Sequence, residues 1–202
     1  MSEAIEAAND AANEALRSEK ALAALLEELE GSSRLKRQKA AGVLAAVAKA
    51  NPSAVAAHSD AFVDALNRPE ARTRWECLDV LSCVIAVDSR ACDKAIAGAE
   101  MALFDEESGP VRLAAMRFLC KLGATTENRS EKVWPLIDEG IQCYHGDLEF
   151  SDMLSAVTDF AGGKLAAGVK AELVERMSFD ASNGKGALKR RAQQIIDNVQ
   201  GK

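Results

Sequence analysis

A three-residue signature returns five times along this chain at almost constant spacing: a basic or large residue, a small or apolar one three places on, and a large apolar one seven places on. The copies are Arg37/Ala40/Leu44, Arg74/Cys77/Leu81, Arg112/Ala115/Leu119, Phe150/Met153/Val157 and Lys189/Ala192/Ile196, separated by 37, 38, 38 and 39 residues. A fixed period in this range marks a stacked array of similar units, none of which buries its apolar surface alone. Aromatic residues make up only 4% of the chain and no window alternates with period two over a useful length, so the units are expected to be helical throughout.

The helix signals fall in pairs within each period. Ser18 opens a helix whose Leu22, Leu25, Leu26 and Leu29 form one stripe, and Gly31-Ser32-Ser33 stops it. A second helix runs from Arg34 to about Ala50 with Val43, Leu44 and Val47 on one face, and Asn51-Pro52 ends it. Shifted by 37 residues, Leu25, Leu26 and Leu29 become Phe62, Val63 and Leu66, while Val43, Leu44 and Val47 become Val80, Leu81 and Val84. Units are expected near 18–50, 53–88, 90–124, 129–163 and 165–200, with a turn over Asp180 to Gly186 inside the fifth. Residues 18–202 thus read as one repeat domain. Residues 1–17 are alanine-rich and helical in pattern, either a cap over the first unit or a frayed tail, since a helix this poor in large aliphatics is marginal by itself.

The formal charge of −6 becomes informative once located. Residues 1–30 hold eight acids against Arg17 and Lys20, and the other 172 residues balance at 23 basic and 23 acidic. A neutral body has no long-range pull on polyanions, which argues against nucleic acid as the partner. Five cysteines (Cys77, Cys83, Cys92, Cys120, Cys143) form no Cys-x-x-Cys pair or zinc spacing; Cys83 and Cys92 are expected to be the more exposed. The odd count fits a reducing compartment. No apolar run reaches the ~20 residues of a membrane span, and the first residues carry acids where a secretory signal carries bases. A soluble cytoplasmic protein is the expectation.

The stretches Asn67-Arg-Pro-Glu-Ala-Arg-Thr-Arg74-Trp-Glu-Cys-Leu-Asp-Val-Leu81 and Asp105-Glu-Glu-Ser-Gly-Pro110-Val-Arg112-Leu-Ala-Ala-Met-Arg-Phe-Leu119 resemble the HEAT repeat, a unit of the armadillo-like α-solenoids. The resemblance spans residues 18–200. It implies an all-α, right-handed α-α superhelix of about five hairpins, with second helices lining the concave side and first helices the convex side. It also implies that Arg37, Arg74, Arg112 and Lys189 bond to turn acids of neighbouring units, as partly exposed pairs worth ~0–1 kcal/mol that set register. Phe150 departs from that pattern and Gly162-Gly163 weakens the helix end, so a bend or altered pitch is expected in the fourth unit. A tetratricopeptide array has a period of about 34 residues and landmarks this chain lacks.

Catalytic and ligand motifs were sought on this frame. His58 has Asp60 and Asp64 nearby but no second histidine at metal-binding spacing, and reads as an exposed helix residue. Cys143-Tyr144-His145 with Asp147 and Glu149 contains the groups of a nucleophile and base, yet sits in a turn that seldom aligns them. Gly162-Gly163-Lys164 and Gly184-Lys185-Gly186 lack the upstream glycine and following Ser/Thr of a phosphate loop. Catalytic, metal and cofactor sites are accordingly not expected.

What remains is the concave face. Positions two, five and nine after the signature residue should line it: Lys39, Gly42 and Ala46; Glu76, Asp79 and Cys83; Ala114, Arg117 and Lys121; Asp152, Ser155 and Asp159; Arg191, Gln194 and Asn198. Charge alternates from helix to helix, basic, acidic, basic, acidic, basic. Trp75, beside the second band, either joins this surface or packs between units. The functional expectation is a non-enzymatic module holding another protein or peptide in the groove through Lys39, Trp75, Glu76, Asp79, Arg117, Lys121, Asp152, Asp159 and Arg191. Two alternatives stand beside it: a nucleic-acid-binding array, whose basic stripe Glu76, Asp79, Asp152 and Asp159 would interrupt, and a lyase-like array acting on a cofactor-bearing partner, which the resemblance alone carries. Oligomeric state is left open.

Overall fold

A computed structural model describes the backbone of residues 2–201 and the side chains of residues 8–201. Among the described residues every regular element is helical. Contacts divide the chain into two compact units, Met1–Ala102 and Leu103–Lys202.

In the first unit, α1 (Ser2–Ala15) lies against α2 (Glu19–Glu30) and α3 (Arg34–Ala50). Its contact face consists of small residues, Ala12 and Ala15 being buried; the side chain of Ile5 lies outside the described residues. The first seventeen residues therefore include a helix seated on the first hairpin. Ser18 caps α2 by accepting a hydrogen bond from the Ala21 amide at 3.3 Å. From there Leu22, Leu26 and Leu29 recur at the three-to-four-residue spacing that keeps one helical face inward. Between Ala40 and Ala48, α3 buries Ala40, Ala41, Val43, Leu44, Ala45, Val47 and Ala48, so it can pack against α1, α2 and α6 (Ala71–Asp88) on several sides. The small side chains permit close approach. The first helix of the next hairpin is broken into α4 (Ser53–Ala56) and α5 (Ser59–Ala65); a 3₁₀ turn over Ala91–Ala95 leads into α7 (Ile96–Leu103). Two rows result: α2, α5 and the 91–95 turn in one, α3 and α6 in the other.

The second unit repeats the plan. First helices α9 (Glu127–Cys143) and α11 (Ala167–Asn183) pack together, and α10 (Phe150–Ala161) packs against both α8 (Gly109–Gly123) and α12 (Gly186–Gln200). Thr126 caps α9, accepting from the Arg129 amide at 3.3 Å, and Pro110 occupies the first turn of α8, where its missing N–H is harmless. Trp134 of α9 stacks on Phe160 of α10 with planes 4° apart and centroids 6.4 Å apart. Gly123 makes room for that pair, since a Cβ there would come within 2.5 Å of Val133 Cγ2 and 2.8 Å of Phe160 Cε2.

The signature basic residue closes a clasp between hairpins. Arg37 donates to the Gly31 carbonyl at 2.8 Å and pairs with Glu70, which stands at the N-cap of α6. Arg112 repeats this 75 residues later: it donates to the Asp105 carbonyl at 2.9 Å and pairs with Glu149, at the N-cap of α10. Lys189 keeps the carbonyl half, donating to Ser182 O at 3.3 Å. The expectation of a partly exposed pair is corrected at Arg37 and Glu70, whose side chains are only 8% and 3% exposed. The Arg37 hydrogen bond holds the Glu70 carboxyl below its ordinary pKa, outweighing the burial that would raise it.

At the fourth hairpin the signature position is Phe150, which is buried and lies 4.9 Å from the His145 ring, centroid to centroid. The tie to the fifth hairpin moves to the first helices. Arg176 of α11 donates to both Asp138 oxygens, at 2.5 and 2.9 Å, and Trp134 Nε1 donates to Glu172 at 2.5 Å. The fifth hairpin also departs from its expected turn over Asp180 to Gly186: α11 continues to Asn183, and the Gly184 amide closes its last turn on the Asp180 carbonyl at 2.9 Å. Asp180 is buried there with its carboxylate 3.3 Å from His145 Nε2, a tertiary contact that overrides the weak helix propensity of Asp-Ala-Ser-Asn.

Candidate binding faces of the second helices

Asn198 of α12 donates to the Thr158 carbonyl of α10 at 3.0 Å, and this bond sets two of the expected bands side by side, because Thr158 neighbours Asp159. On its other flank α10 packs against α8, the helix that carries Arg117 and Lys121. Arg117, Lys121, Asp152 and Asp159 are all exposed; Ser155, Arg191 and Asn198 are partly exposed. The second unit thus presents cations on α8, carboxylates on α10 and a cation with amides on α12. Ala114, expected on the same face, is buried.

In the first unit, Lys39 is exposed while Trp75, Glu76 and Asp79 are partly so. Gly42 of α3 faces α6 closely: a Cβ there would lie 3.2 Å from Arg72 Nη2 and 3.5 Å from Glu76 Oε1. Arg72 and Glu76 form an i, i+4 pair at 3.6 Å. Arg72 was not among the residues expected here. The signal that could have found it is the four-residue step back from Glu76.

The groups that imitate an active site in the sequence are occupied elsewhere. Tyr144 donates to the Leu103 carbonyl at 2.7 Å, with the Arg112 guanidinium 5.0 Å from its ring centroid. Burial raises its phenol pKa, against the opposing pull of Arg112. Glu149 is held by Arg112 and His145 contacts Asp180, so Cys143, which is exposed, has no aligned base. His58 is exposed at the start of α5, and Asp60 pairs with Lys94 at 2.8 Å. No group of three or more His, Cys, Asp or Glu among the described residues could hold a metal ion.

All five cysteines are free thiols. Cys77, Cys92 and Cys120 are buried, which corrects the expectation for Cys92: its Sγ lies 3.5 Å from the Leu81 carbonyl, inside the contact between α6 and the 91–95 turn. Burial drives the Cys77 and Cys120 thiol pKa values upward, so both stay protonated near neutral pH. No described helix is long and apolar enough to cross a membrane.

No family model matches the chain, and no curated protein matches it. Solved structures do. A designed armadillo repeat protein in complex with the peptide (KR)4 is similar with a TM-score of 0.73 at 15% identity, over 89% of this chain and 82% of that one. An engineered protein aligns at 0.71 and 17% identity, covering 97% and 90% of the two chains. An archaeal HEAT-like repeats protein from Thermococcus onnurineus NA1 aligns at 0.57 and 17% identity, covering 99% and 97%. At these identities the likeness establishes the fold: an all-α solenoid of the HEAT and armadillo kind.

Proposed function

We propose that this chain is a non-catalytic binding module that holds a segment of another protein against its second helices, with the face of α8, α10 and α12 as the principal contact. The observation that supports this most directly is the exposed alternation of Arg117 and Lys121, Asp152 and Asp159, then Arg191, on three helices packed side by side. Opposite charges on adjacent helices select a partner with its own charge pattern and reject uniform ones. A nucleic-acid backbone would meet Asp152 and Asp159 head on, which disfavours that alternative. Lys39, Trp75, Glu76 and Asp79 form the corresponding face of the first unit. The fold is shared with a designed protein that binds a peptide, and the five free thiols fit a reducing compartment such as the cytoplasm.

The test is site-specific photocrosslinking in native extract. A photoreactive residue at Ser155 should trap a discrete partner that the same residue at Glu175, exposed on α11, does not, and D152K/D159K should abolish the adduct. Equal trapping from the two positions, or an adduct indifferent to the charge reversal, would refute the reading.

A further inference from the structure

One side of α12 carries a shallow hollow lined by Lys189, Arg190, Gln193, Gln194, Asp197 and Asn198. These are two adjacent i, i+4 rows, 189/193/197 and 190/194/198, and a channel between such rows is where a ridge of another helix seats. The apolar contacts of α12 use the opposite side, where Ala192, Ile195 and Ile196 are buried, while Lys189 and Asn198 at the hollow's margins bond to the Ser182 carbonyl of α11 and the Thr158 carbonyl of α10. Lys189 and Arg190 are exposed, and no carboxylate among the described residues pairs with either. Lys189 also stands where Arg37 and Arg112 hold the N-cap carboxylate of a following hairpin, and it already grips its carbonyl. The hollow is cationic at one end and acidic at the other, where Asp197 accepts from Gln193 at 2.9 Å, and aliphatic stems of the lining side chains form most of the surface between.

The same chain carries the complement. On α1 and the turn that closes it, Asp10, Asn13, Glu14 and Arg17 are exposed. Their spacing of three, four and seven residues gathers them on one helical face, opposite the buried Ala12 and Ala15. From Asp10 to Arg17 is seven residues, as from Arg190 to Asp197, roughly 10 Å of helical rise in each case. Laid parallel, Asp10 and Glu14 meet Lys189, Arg190 and the glutamines, while Arg17 meets Asp197. We propose that α1 of a second copy of this chain docks in the α12 hollow, so that copies associate head to tail. The contact goes beyond the binding face proposed above: it shares Gln194 and Asn198 with the α12 band, but its charged residues, Lys189, Arg190 and Asp197, are separate from those of the bands. Two different surfaces meet, so each copy can bind two others, in an open chain or in a ring where the rotation closes. The charges at the two ends of the contact make it salt-sensitive.

Sedimentation velocity over a concentration series tests this. In about 0.02 M salt the weight-average mass of the wild-type chain should climb past that of a dimer. In about 1 M salt, where the screening length is about 3 Å, it should fall to the monomer. D10K/E14K and K189E/R190E alter only exposed side chains, so helical circular dichroism should be unchanged; each alone should weaken association at least about tenfold through like-charge contact. Mixed in equal amounts, the two variants should associate again, because their native surfaces pair and their two reversed surfaces are complementary as well. A wild-type chain monomeric at every concentration in low salt would overturn the proposal, even if it captured some other acidic protein. Association that survives either reversal, or a mixture that stays monomeric, would overturn it equally.

Discussion

Removing the Glu70 carboxylate should cost more than removing its counterpart Glu149, although both occupy the same place in the repeat. In Glu70→Ala the Arg37 guanidinium stays at 8% exposure, with its Gly31 carbonyl but no anion. Breaking a buried pair from one side typically costs about 3–5 kcal/mol, because the survivor is left desolvated and uncompensated. Arg112 and Glu149 are 14% and 13% exposed, so water partly replaces the lost partner, and the expected cost falls between the surface and buried limits, at about 1–3 kcal/mol. Glu70 makes no capping hydrogen bond to the first turn of α6, so helix capping does not confound the comparison. The two tryptophans allow each unit to be followed separately: urea unfolding by fluorescence in a Trp134→Phe background reads Trp75 of α6, and Trp75→Phe leaves Trp134 of α9 to report on the second unit. Local reading matters because array stability is a sum over units and interfaces, and a single global transition is not assured. R37M/E70L, which removes both charges and keeps apolar bulk, should return to within about 1 kcal/mol of its parent or exceed it. The reasoning fails if Glu70→Ala costs less than Glu149→Ala, or if the double variant is as unstable as the single.

Three further outcomes follow from the same coordinates. Gly163→Ala should lose about 1–3 kcal/mol, since its Cβ would lie 2.7 Å from Ala124 Cα and 2.8 Å from Ala124 O, backbone that cannot yield, whereas Gly162→Ala, whose nearest contact is 3.6 Å, should be nearly neutral in thermal melts. Alkylation of the native protein at neutral pH, mapped by mass spectrometry, should mark Cys143 first and leave Cys77, Cys92 and Cys120 unmodified until denaturant is added. Because Arg37 depresses the Glu70 pKa below 4.5, this pair contributes its full stability above that value and loses it as pH falls below it through the lowered pKa of the folded state; R37M/E70L should therefore show a shallower acid-side loss of stability than its parent, by denaturant titration at each pH.

The helix pairs were readable from sequence because their determinants are local. A signature at i, i+3 and i+7 names one helical face, and Ser18, Asn51-Pro52 and Pro110 punctuate it within a few residues of where α2 begins, α3 ends and α8 begins. What escaped is what depends on distance along the chain. The depth of the Arg37–Glu70 pair is set by how closely α3 and α6 approach, across 33 residues, and nothing adjacent to either residue reports that approach. The continuation of α11 through Asp180 rests on His145, 35 residues upstream, and the burial of Cys92 rests on its seat against α6.

The proposed binding face divides along the same line. Lys39, Arg117, Lys121, Asp152 and Asp159 are exposed, because helical phase alone turns a side chain toward or away from a packed neighbour. The proximity of the bands in the second unit was not legible in any one helix; it comes from the packing of α10 against both α8 and α12, with Asn198 reaching Thr158. A repeat array therefore separates two kinds of information. Each unit encodes which residues face outward, and the contacts between units decide which of them form a common surface. A substitution at the Asn198–Thr158 junction should consequently disturb partner binding without altering any outward-facing charge. Asn198→Leu removes the bond that holds α12 to α10 while leaving Arg191, Asp152 and Asp159 in place, so loss of the Ser155 crosslink in a variant that remains folded would show that spacing between bands, beyond their charges, selects the partner. Full retention of the adduct would show that the charges act independently of their spacing.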